Sequence, residues 1–439
     1  MSAKKLYIAT FGCQMNEYDS LKMAQLLQNE YVTVKGPEEA DLVLVNTCSI
    51  REKAEHKLYS LVGRFRDLKS ARPGLIIGVG GCVAQQEGER LLKGLPFLDI
   101  VFGPQGLYGL PDMIKAIEGG EGPICATGLG RDFAIPFIKG PLPEKRPVRA
   151  FVTIMQGCDN FCTYCVVPYV RGRETSRPPG DILAEAASLV DQGVKEITLL
   201  GQNVNSYGGK GGEGIGFAGL IKMVSQVPGL ARLRFTTSHP KDLGIDVMEC
   251  FRDVPNLGRH LHLPVQSGSD KVLGRMHRHY TRGEYLEKVR RLRDICPDIT
   301  LTTDIITGFP GETDEDFSET LKLLKEVEFE QIFAFKYSPR PFTKAAGFKD
   351  RIPEDVKARR LNTILELQNN ISLKRHEALC GANMDVLIEG PSKADPLELL
   401  GRTSGNHAVN LPGPKGLIGR MVTVRIEKAF CHSLRGSLV

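Results

Sequence analysis

The stretch Ala150-Phe151-Val152-Thr153-Ile154-Met155-Gln156-Gly157-Cys158-Asp159-Asn160-Phe161-Cys162-Thr163-Tyr164-Cys165 decides how this chain is read. Ala150–Met155 is an apolar, β-branched run and predicts a strand, which leaves the three cysteines in a loop at its carboxyl end. Their C-x₃-C-x₂-C spacing suits thiolates that hold an iron–sulfur cluster, which ordinarily takes four protein ligands. A fourth is missing, because the next cysteine is Cys250. A [4Fe–4S] cluster on three thiolates keeps one iron open, and open metal positions are where chemistry occurs. A zinc knuckle would need another Cys or His at short spacing, and none occurs between Val166 and Thr237.

With Tyr164 just before the last cysteine, the octet resembles the signature of radical S-adenosylmethionine (SAM) enzymes. The resemblance implies that the methionyl amine and carboxylate of SAM chelate the open iron. Reductive cleavage of the sulfonium then releases a 5′-deoxyadenosyl radical.

Composition bounds the rest. At 439 residues and 41% hydrophobic, the chain predicts two or three domains with substantial cores. No apolar run approaches the roughly 18 residues of a membrane span, and Met1-Ser2-Ala3-Lys4-Lys5 leads straight into a strand-like segment without a signal region. A cytoplasmic protein is expected, with no membrane partner. Eleven cysteines without a secretion signal favour metal or redox chemistry over disulfides. Cys125, Cys250, Cys296, Cys380 and Cys431 show no pattern and are read as small buried hydrophobes. A net charge of +5 is too mild to announce nucleic acid. Locally, Lys271, Arg275, Arg278, Arg282, Lys288, Arg290, Arg291 and Arg293 face only Glu284 and Glu287, which reads as a solvated helix face.

Residues 1–140 alternate strands and helices. Lys5–Thr10, Asp41–Asn46 and Leu75–Val79 read as strands; Ser20–Asn29, Arg51–Lys69 and Ala84–Leu92 read as helices. Unbroken apolar strands between helices predict a parallel sheet buried on both faces. Cys13, Cys48 and Cys82 each follow a strand by two or three residues. The carboxyl ends of parallel strands share one edge, so these thiols converge into a second three-cysteine site. Lys139–Pro147, rich in proline and charge, marks a boundary.

From residue 141 the alternation restarts. Strands are predicted at Ala150–Met155, Glu196–Leu200, Arg232–Thr237, His260–Val265, Ile299–Ile306 and Gln331–Tyr337. Helices are predicted at Asp181–Gln192, Phe217–Val227, Leu243–Asp253, Arg282–Ile295, Asp314–Val327 and Glu354–Leu379. Six β/α units are too few for a closed eightfold barrel and predict an open one, with chemistry at the carboxyl strand ends. Polar groups gather there: Gln202, Ser238, Gln266 and Asp304, with Tyr164, are the candidate cofactor contacts. Thr313, before an acidic first turn, is read as a helix cap. Residues 377–439 switch to five short alternating strands, Asn383–Glu389, Leu397–Gly401, His407–Leu411, Arg420–Ala429 and Ser433–Val439, which predict a small OB-like β-barrel. Arg171, Arg173, Lys415, Arg420 and Arg425 are the candidate RNA contacts, with Lys428 and Arg435 as further basic residues of the small barrel. No catalytic residue beyond the cysteines is singled out.

Longer strings carry a closer resemblance over essentially the whole chain. Thr10-Phe11-Gly12-Cys13-Gln14-Met15-Asn16-Glu17-Tyr18-Asp19-Ser20, Val166-Val167-Pro168-Tyr169-Val170-Arg171-Gly172-Arg173-Glu174, Leu261–Ser269 and Tyr337-Ser338-Pro339-Arg340-Pro341 resemble the radical SAM methylthiotransferase family, and most closely its tRNA-2-methylthio-N(6)-dimethylallyladenosine synthase (MiaB-type) branch. The C-terminal barrel is similar to a TRAM domain. The resemblance implies an auxiliary cluster on Cys13, Cys48 and Cys82 and a radical SAM cluster on Cys158, Cys162 and Cys165. It implies two [4Fe–4S] clusters and two uses of SAM per turnover: one methylates sulfur held at the auxiliary cluster, the other activates carbon two of the adenine. The implied substrate is the prenylated adenosine 3′ of the anticodon in a tRNA stem-loop, with flavodoxin or ferredoxin as reductant and a monomeric enzyme. Phe342-Thr343-Lys344 departs from the Gly-Thr-Pro that members usually carry. A methylthiotransferase for another tRNA base or a ribosomal protein, and an RNA-binding protein with a passive metal site, are the rival readings.

Overall fold

The computed structural model describes residues 3–439 except 50, 51, 131, 132, 143–146, 210, 237 and 394, and describes no side chains for 52–57. The end of the expected strand at Thr237, the start of the expected helix at Arg51 and the middle of the proline-rich boundary therefore lie outside the described residues.

The N-terminal strands are β1 (Lys4–Thr10), β2 (Tyr31–Thr33), β3 (Leu42–Thr47), β4 (Ile76–Gly81), β5 (Ile100–Phe102) and β6 (Ile124–Ala126). They form one parallel sheet in the order β2-β1-β3-β4-β5-β6. Every residue of β3 and β4 is buried, as unbroken apolar runs require. Val43, Val45, Ile77 and Val79 pack on one face with Leu58 and Phe65; Leu42, Leu44 and Ile76 pack on the other with Met23, Leu27 and Leu110. Strands β2, β5 and β6 escape sequence reading because three residues give no periodicity; their neighbours in the ladder define them. The expected helix Ala84–Leu92 is two, Cys82–Glu87 and Glu89–Gly94, broken at Gly88.

The middle unit carries β7 (Arg149–Thr153), a short antiparallel pair β8 (Met155–Gln156) and β9 (Thr175–Ser176), then β10 (Glu196–Leu200), β11 (Arg232–Phe235), β12 (His260–His262), β13 (Thr300–Thr307) and β14 (Gln331–Lys336). Two parallel three-stranded sheets, β11-β10-β7 and β12-β13-β14, make the open barrel, bridged at Leu233 and Leu257. One face of β12–β14 (Leu261, Leu301, Ile305, Ile332) packs on helix residues Tyr285, Leu292 and Leu323. The alternate residues His262, Asp304, Phe333 and Phe335 face the barrel interior, where Phe333 and Phe335 remain exposed. Thr313 caps helix Asp314–Val327 in a capping box with Asp316.

The C-terminal strands β15 (Asn383–Pro391), β16 (Glu398–Thr403), β17 (Ala408–Pro412), β18 (Met421–Ala429) and β19 (Leu434–Leu438) close in the order β15-β16-β17-β19-β18. The β16–β17 hairpin seats against the amino ends of the larger barrel. Arg232 donates to the carbonyls of Arg402 and Thr403, and Arg234 to those of Thr403 and Ser404, while both guanidiniums face Glu196. The N-terminal unit is fastened by a buried network: Lys22 Nζ lies 2.8 Å from Glu185 Oε1, and Tyr18 Oη and Arg177 Nη1 both donate to Glu185 Oε2. Among the described residues, no helix is long and apolar enough to cross a membrane.

Two expectations about composition change. Cys250 and Cys296 are buried, but Cys125 and Cys431 are half-buried and Cys380 is exposed, so not all five unpatterned cysteines are core residues. The basic run is mostly internally paired rather than a free solvated face: Lys271 with Asp316, Arg275 with Asp350, Arg282 with Glu319 and Glu326, and Arg290 and Arg291 with Glu287.

Candidate active site

Cys158–Cys165 follows β8 at the carboxyl ends of the barrel strands. The loop leaves the strand through Gly157, at φ +81°, where a Cβ would sit 2.0 Å from the carbonyl oxygen of Arg173; only glycine fits. Gln202 Oε1 accepts from Gly157 N at 2.6 Å, and Gly172 O accepts from Cys158 N. Further on, Thr163 N and Oγ1 donate to the carbonyls of Met276 and Arg275, and Thr163 O accepts from Ala345 N. Four separate segments thus hold the loop in one shape.

Two side chains then turn toward Cys162. Arg278 is buried; its Nη1 lies 3.5 Å from Cys162 Sγ and 3.3 Å from Tyr164 Oη, its Nη2 donates to Pro264 O, and its Nε donates to Tyr280 Oη. His239 Nδ1 accepts from Lys241 N, which leaves Nε2 carrying the proton, 4.0 Å from Cys162 Sγ. Burial, and then the charge of Arg278, lower His239 to about 2, so the ring is neutral. Burial pushes the thiols of Cys158 and Cys165 up to about 11 and 12.

The N-terminal trio sits at the ends of β1, β3 and β4. Cys13 is the N-cap of helix Gln14–Leu27, Cys48 follows β3 directly, and Cys82 opens helix Cys82–Glu87. Gly12, at φ +130°, lets Cys48 approach: a Cβ there would be 2.2 Å from Cys48 Cβ. Asn16 locks the edge, donating to Asn46 Oδ1 and Thr47 O while its Oδ1 accepts from Cys13. A hydrogen bond from Cys48 lowers Cys13 to about 6 against the cost of burial. Arg171 is a shared cation here. It is ion-paired with Asp19 at 2.8 Å and acts electrostatically on both Cys13 and Cys82. Six soft thiol donors in two trios, buried or half-buried and each with a guanidinium beside it, suit anionic thiolate-bound clusters.

The two trios share a wall. Cys82 packs on Val166 and Val170, and Val166 follows Cys165 directly. The same short segment carries Arg171 across to the N-terminal thiols.

Residues 5–103 match the model of the uncharacterized protein family UPF0004, 152–324 that of the radical SAM superfamily, and 378–439 that of the TRAM domain. Over 436 residues the chain is 52% identical to a tRNA-2-methylthio-N(6)-dimethylallyladenosine synthase of Geobacter metallireducens, covering 99% of this chain and 98% of that one. The chain belongs to the tRNA-2-methylthio-N(6)-dimethylallyladenosine synthase family. Members from Geotalea uraniireducens (50% over 437 residues, 99% of each chain) and Aeromonas hydrophila (49% over 445 residues, 100% of this chain and 92% of that one) agree. Among solved structures, the radical SAM methyltransferase TsrM from Kitasatospora setae superposes with TM-score 0.59 at 14% identity, covering 79% of this chain and 77% of that one. The cobalamin-dependent radical enzyme OxsB superposes with TM-score 0.52 at 12% identity, covering 83% and 56%. These two likenesses concern the fold alone.

For a member of this synthase family, the other expected contacts divide. Tyr164 packs among Val272, Met276, Phe309 and Tyr337. Ser238 is buried, with Oγ lacking a hydrogen-bond partner among the described residues. Gln266 sits at φ +72°, its backbone paired with Asp304 O and Ile306 N. Asp304 lies 3.5 Å from His262 Nε2 on the interior face. Gln202, half-buried, supports the cysteine loop through its Oε1. Arg171 is the clear correction: expected to meet RNA, it is buried, because Asp19 and the cysteine trio draw its charge inward. Arg173, Lys415, Arg420 and Arg425 are exposed. Arg278 and His239 were missed as site residues. Arg278 is hidden in a run of basic residues, and His239, next to Ser238, carries no local signal of its own.

Proposed function

We propose that this chain is a radical SAM methylthiotransferase that adds a methylthio group to carbon two of N(6)-dimethylallyladenosine, 3′ of the anticodon in tRNA. The observation that carries the reading is the shared wall: two three-cysteine sites, each lacking a fourth thiolate, joined by Val166–Arg173. Cys158, Cys162 and Cys165 would hold the cluster that supplies an electron to SAM, and Cys13, Cys48 and Cys82 the cluster that holds the sulfur. The chain's own residues do the rest. Arg278 and His239 direct N–H groups at Cys162, and Arg171 offsets negative charge at the N-terminal trio. Ser238, Gln266, Asp304 and Tyr164 line the approach to the open strand ends and are the candidates for holding SAM. Exposed aromatics suit a splayed anticodon-loop base: Phe333 and Phe335 inside the barrel, and Phe161, Tyr169 and Phe342 at its mouth, with ring centroids 6.2 Å apart in sequence. Arg173, 5.0 Å above the Phe161 ring, and Lys415, Arg420 and Arg425 would meet phosphates. A flavodoxin or ferredoxin would supply electrons to a monomeric, cytoplasmic enzyme.

The test is direct. Anaerobically reconstituted protein, SAM and a reductant are incubated with prenylated and unprenylated tRNA, and the nucleosides are analysed by mass spectrometry. A methylthio mass gain on the prenylated adenosine alone is expected. Modification of unprenylated tRNA or a ribosomal protein instead, or a methylated product without sulfur, overturns the reading.

A further inference from the structure

A second constellation lies at the opposite, amino-terminal ends of the barrel strands. Glu330 directly precedes β14, His376 lies in the last turn of helix Glu354–Glu377, and His407 lies in the β16–β17 hairpin of the small barrel. Their relative exposures are 7%, 5% and 8%. The Nε2 atoms of His376 and His407 lie 3.1 and 3.0 Å from the same atom, Glu330 Oε1, and the three donors fall within 4.8 Å of one another. Both are ion-pair distances, and neither approach meets hydrogen-bond geometry among the described residues.

The far sides of the rings are anchored. His376 Nδ1 is 2.5 Å from the carbonyl oxygen of Phe430. A carbonyl only accepts, so Nδ1 carries the proton and the Nε2 lone pair faces Glu330. His407 Nδ1 is 2.9 Å from Thr403 Oγ1, which also accepts from the His407 backbone N–H. Glu330 Oε2 is taken by Arg375 Nε at 2.6 Å, leaving Oε1 as the oxygen that faces both imidazoles. A cavity of about 160 Å³ borders the trio, which leaves room for a water molecule as the fourth ligand.

We propose that Glu330, His376 and His407 bind one divalent transition-metal ion of the zinc class, separate from the iron sites, which clasps the C-terminal barrel to the underside of the larger one. Two imidazoles and one carboxylate form a zinc-type donor set, whereas magnesium and calcium prefer oxygen alone. Nδ1 anchoring to a carbonyl and a hydroxyl is the orienting contact that metal-bound histidines ordinarily have. The two oxygen–nitrogen separations, 3.1 and 3.0 Å, lie a few tenths of an ångström inside the roughly 3.3 Å of a tetrahedral centre with bonds near 2.0–2.1 Å. Because the ligands come from three segments, the ion cross-links the radical SAM barrel, its last helix and the RNA-binding module.

The experiment uses full-length protein with its iron sites loaded, exposed anaerobically to zinc sulfate and dialysed against metal-free buffer. Wild type is expected to keep about one zinc per chain beyond its iron. His376→Gln and His407→Gln should each lower retained zinc at least about tenfold with iron unchanged. Zinc should raise the thermal midpoint of wild type but not of His407→Gln. X-ray absorption at the zinc edge should show nitrogen and oxygen neighbours without sulfur. Zinc retained equally by both variants, zinc with sulfur neighbours, or no zinc on wild type overturns the proposal. In the last case the trio is an ion-paired cluster with a protonated imidazole. Should a variant fail to fold, wild-type stoichiometry and the absorption spectrum still decide.

Discussion

Single side chains in this chain often do something other than their residue type suggests. Arg278 sits in a run of basic residues that reads as a wetted face, yet it is buried with four hydrogen-bonding neighbours, one of them a cluster-type cysteine. A cation donating to a cysteinyl sulfur stabilises the more negative, reduced state of a cluster. Arg278→Met should therefore keep iron bound while lowering the reduction potential at the Cys158 site by tens of millivolts, read by an electron paramagnetic resonance titration. It should also lose roughly 1–3 kcal/mol of stability, since Pro264 O is left without a strong donor. Asp316 is the other case. Burial raises its pKa, but hydrogen bonds from the Thr313 backbone, Ser269 and Lys271 prevail and lower it from 3.8 to about 2. A depressed carboxylate stabilises the fold above its unfolded pKa and loses that contribution as pH falls. About 2 kcal/mol is thus expected to be present above roughly pH 4 and to vanish toward pH 2. Asp316→Asn should be less stable than wild type at pH 6, with the gap closing across that window in denaturant titrations.

At the scale of elements, the strand-to-loop junctions set the chemistry. Both cysteine sites lie where a glycine with positive φ lets the chain turn immediately after a strand. The spacing of Cys158–Cys165 was legible because a cluster loop is local in sequence. That Cys13, Cys48 and Cys82 lie along one sheet edge was also legible, from strand register alone, since parallel strands present their carboxyl ends on one edge. Gly157→Ala tests the junction. Its Cβ would collide with backbone rather than a flexible side chain, so the loop cannot close. If each trio holds a four-iron cluster as proposed, iron should fall by about half, with the N-terminal site and the circular dichroism spectrum retained. Loss of all iron would mean that the two sites fold as one. The short strands β2, β5 and β6 were beyond sequence reading, because three residues carry no pattern without their neighbours.

For the whole molecule, the decisive contacts are polar and buried between units. Glu185 holds Lys22 of the N-terminal unit and Arg177 of the barrel together, each almost fully buried. Removing one partner of such a cluster leaves an uncompensated buried charge and costs several kcal/mol. Glu185→Gln should therefore lower the thermal midpoint sharply and expose the N-terminal unit to proteolysis, while leaving the small barrel intact. A variant that unfolds in one transition with wild-type midpoint would show that the interface is held by its apolar contacts alone.

The sequence by itself determined the order of the longer elements, the open barrel, the small closed barrel and the placing of six cysteines at strand ends. Each of these is written in periodicity, in local spacing or in the rule that parallel strands end on one edge. Only the tertiary structure decided that Arg171 belongs to the N-terminal thiols and Arg278 to Cys162. It alone also brought Glu330, His376 and His407 together. The physical reason is common to all three. The destination of a charged side chain is set by partners far away in the chain, whose low-dielectric surroundings make an unpaired charge costly, and no local pattern encodes where those partners will be.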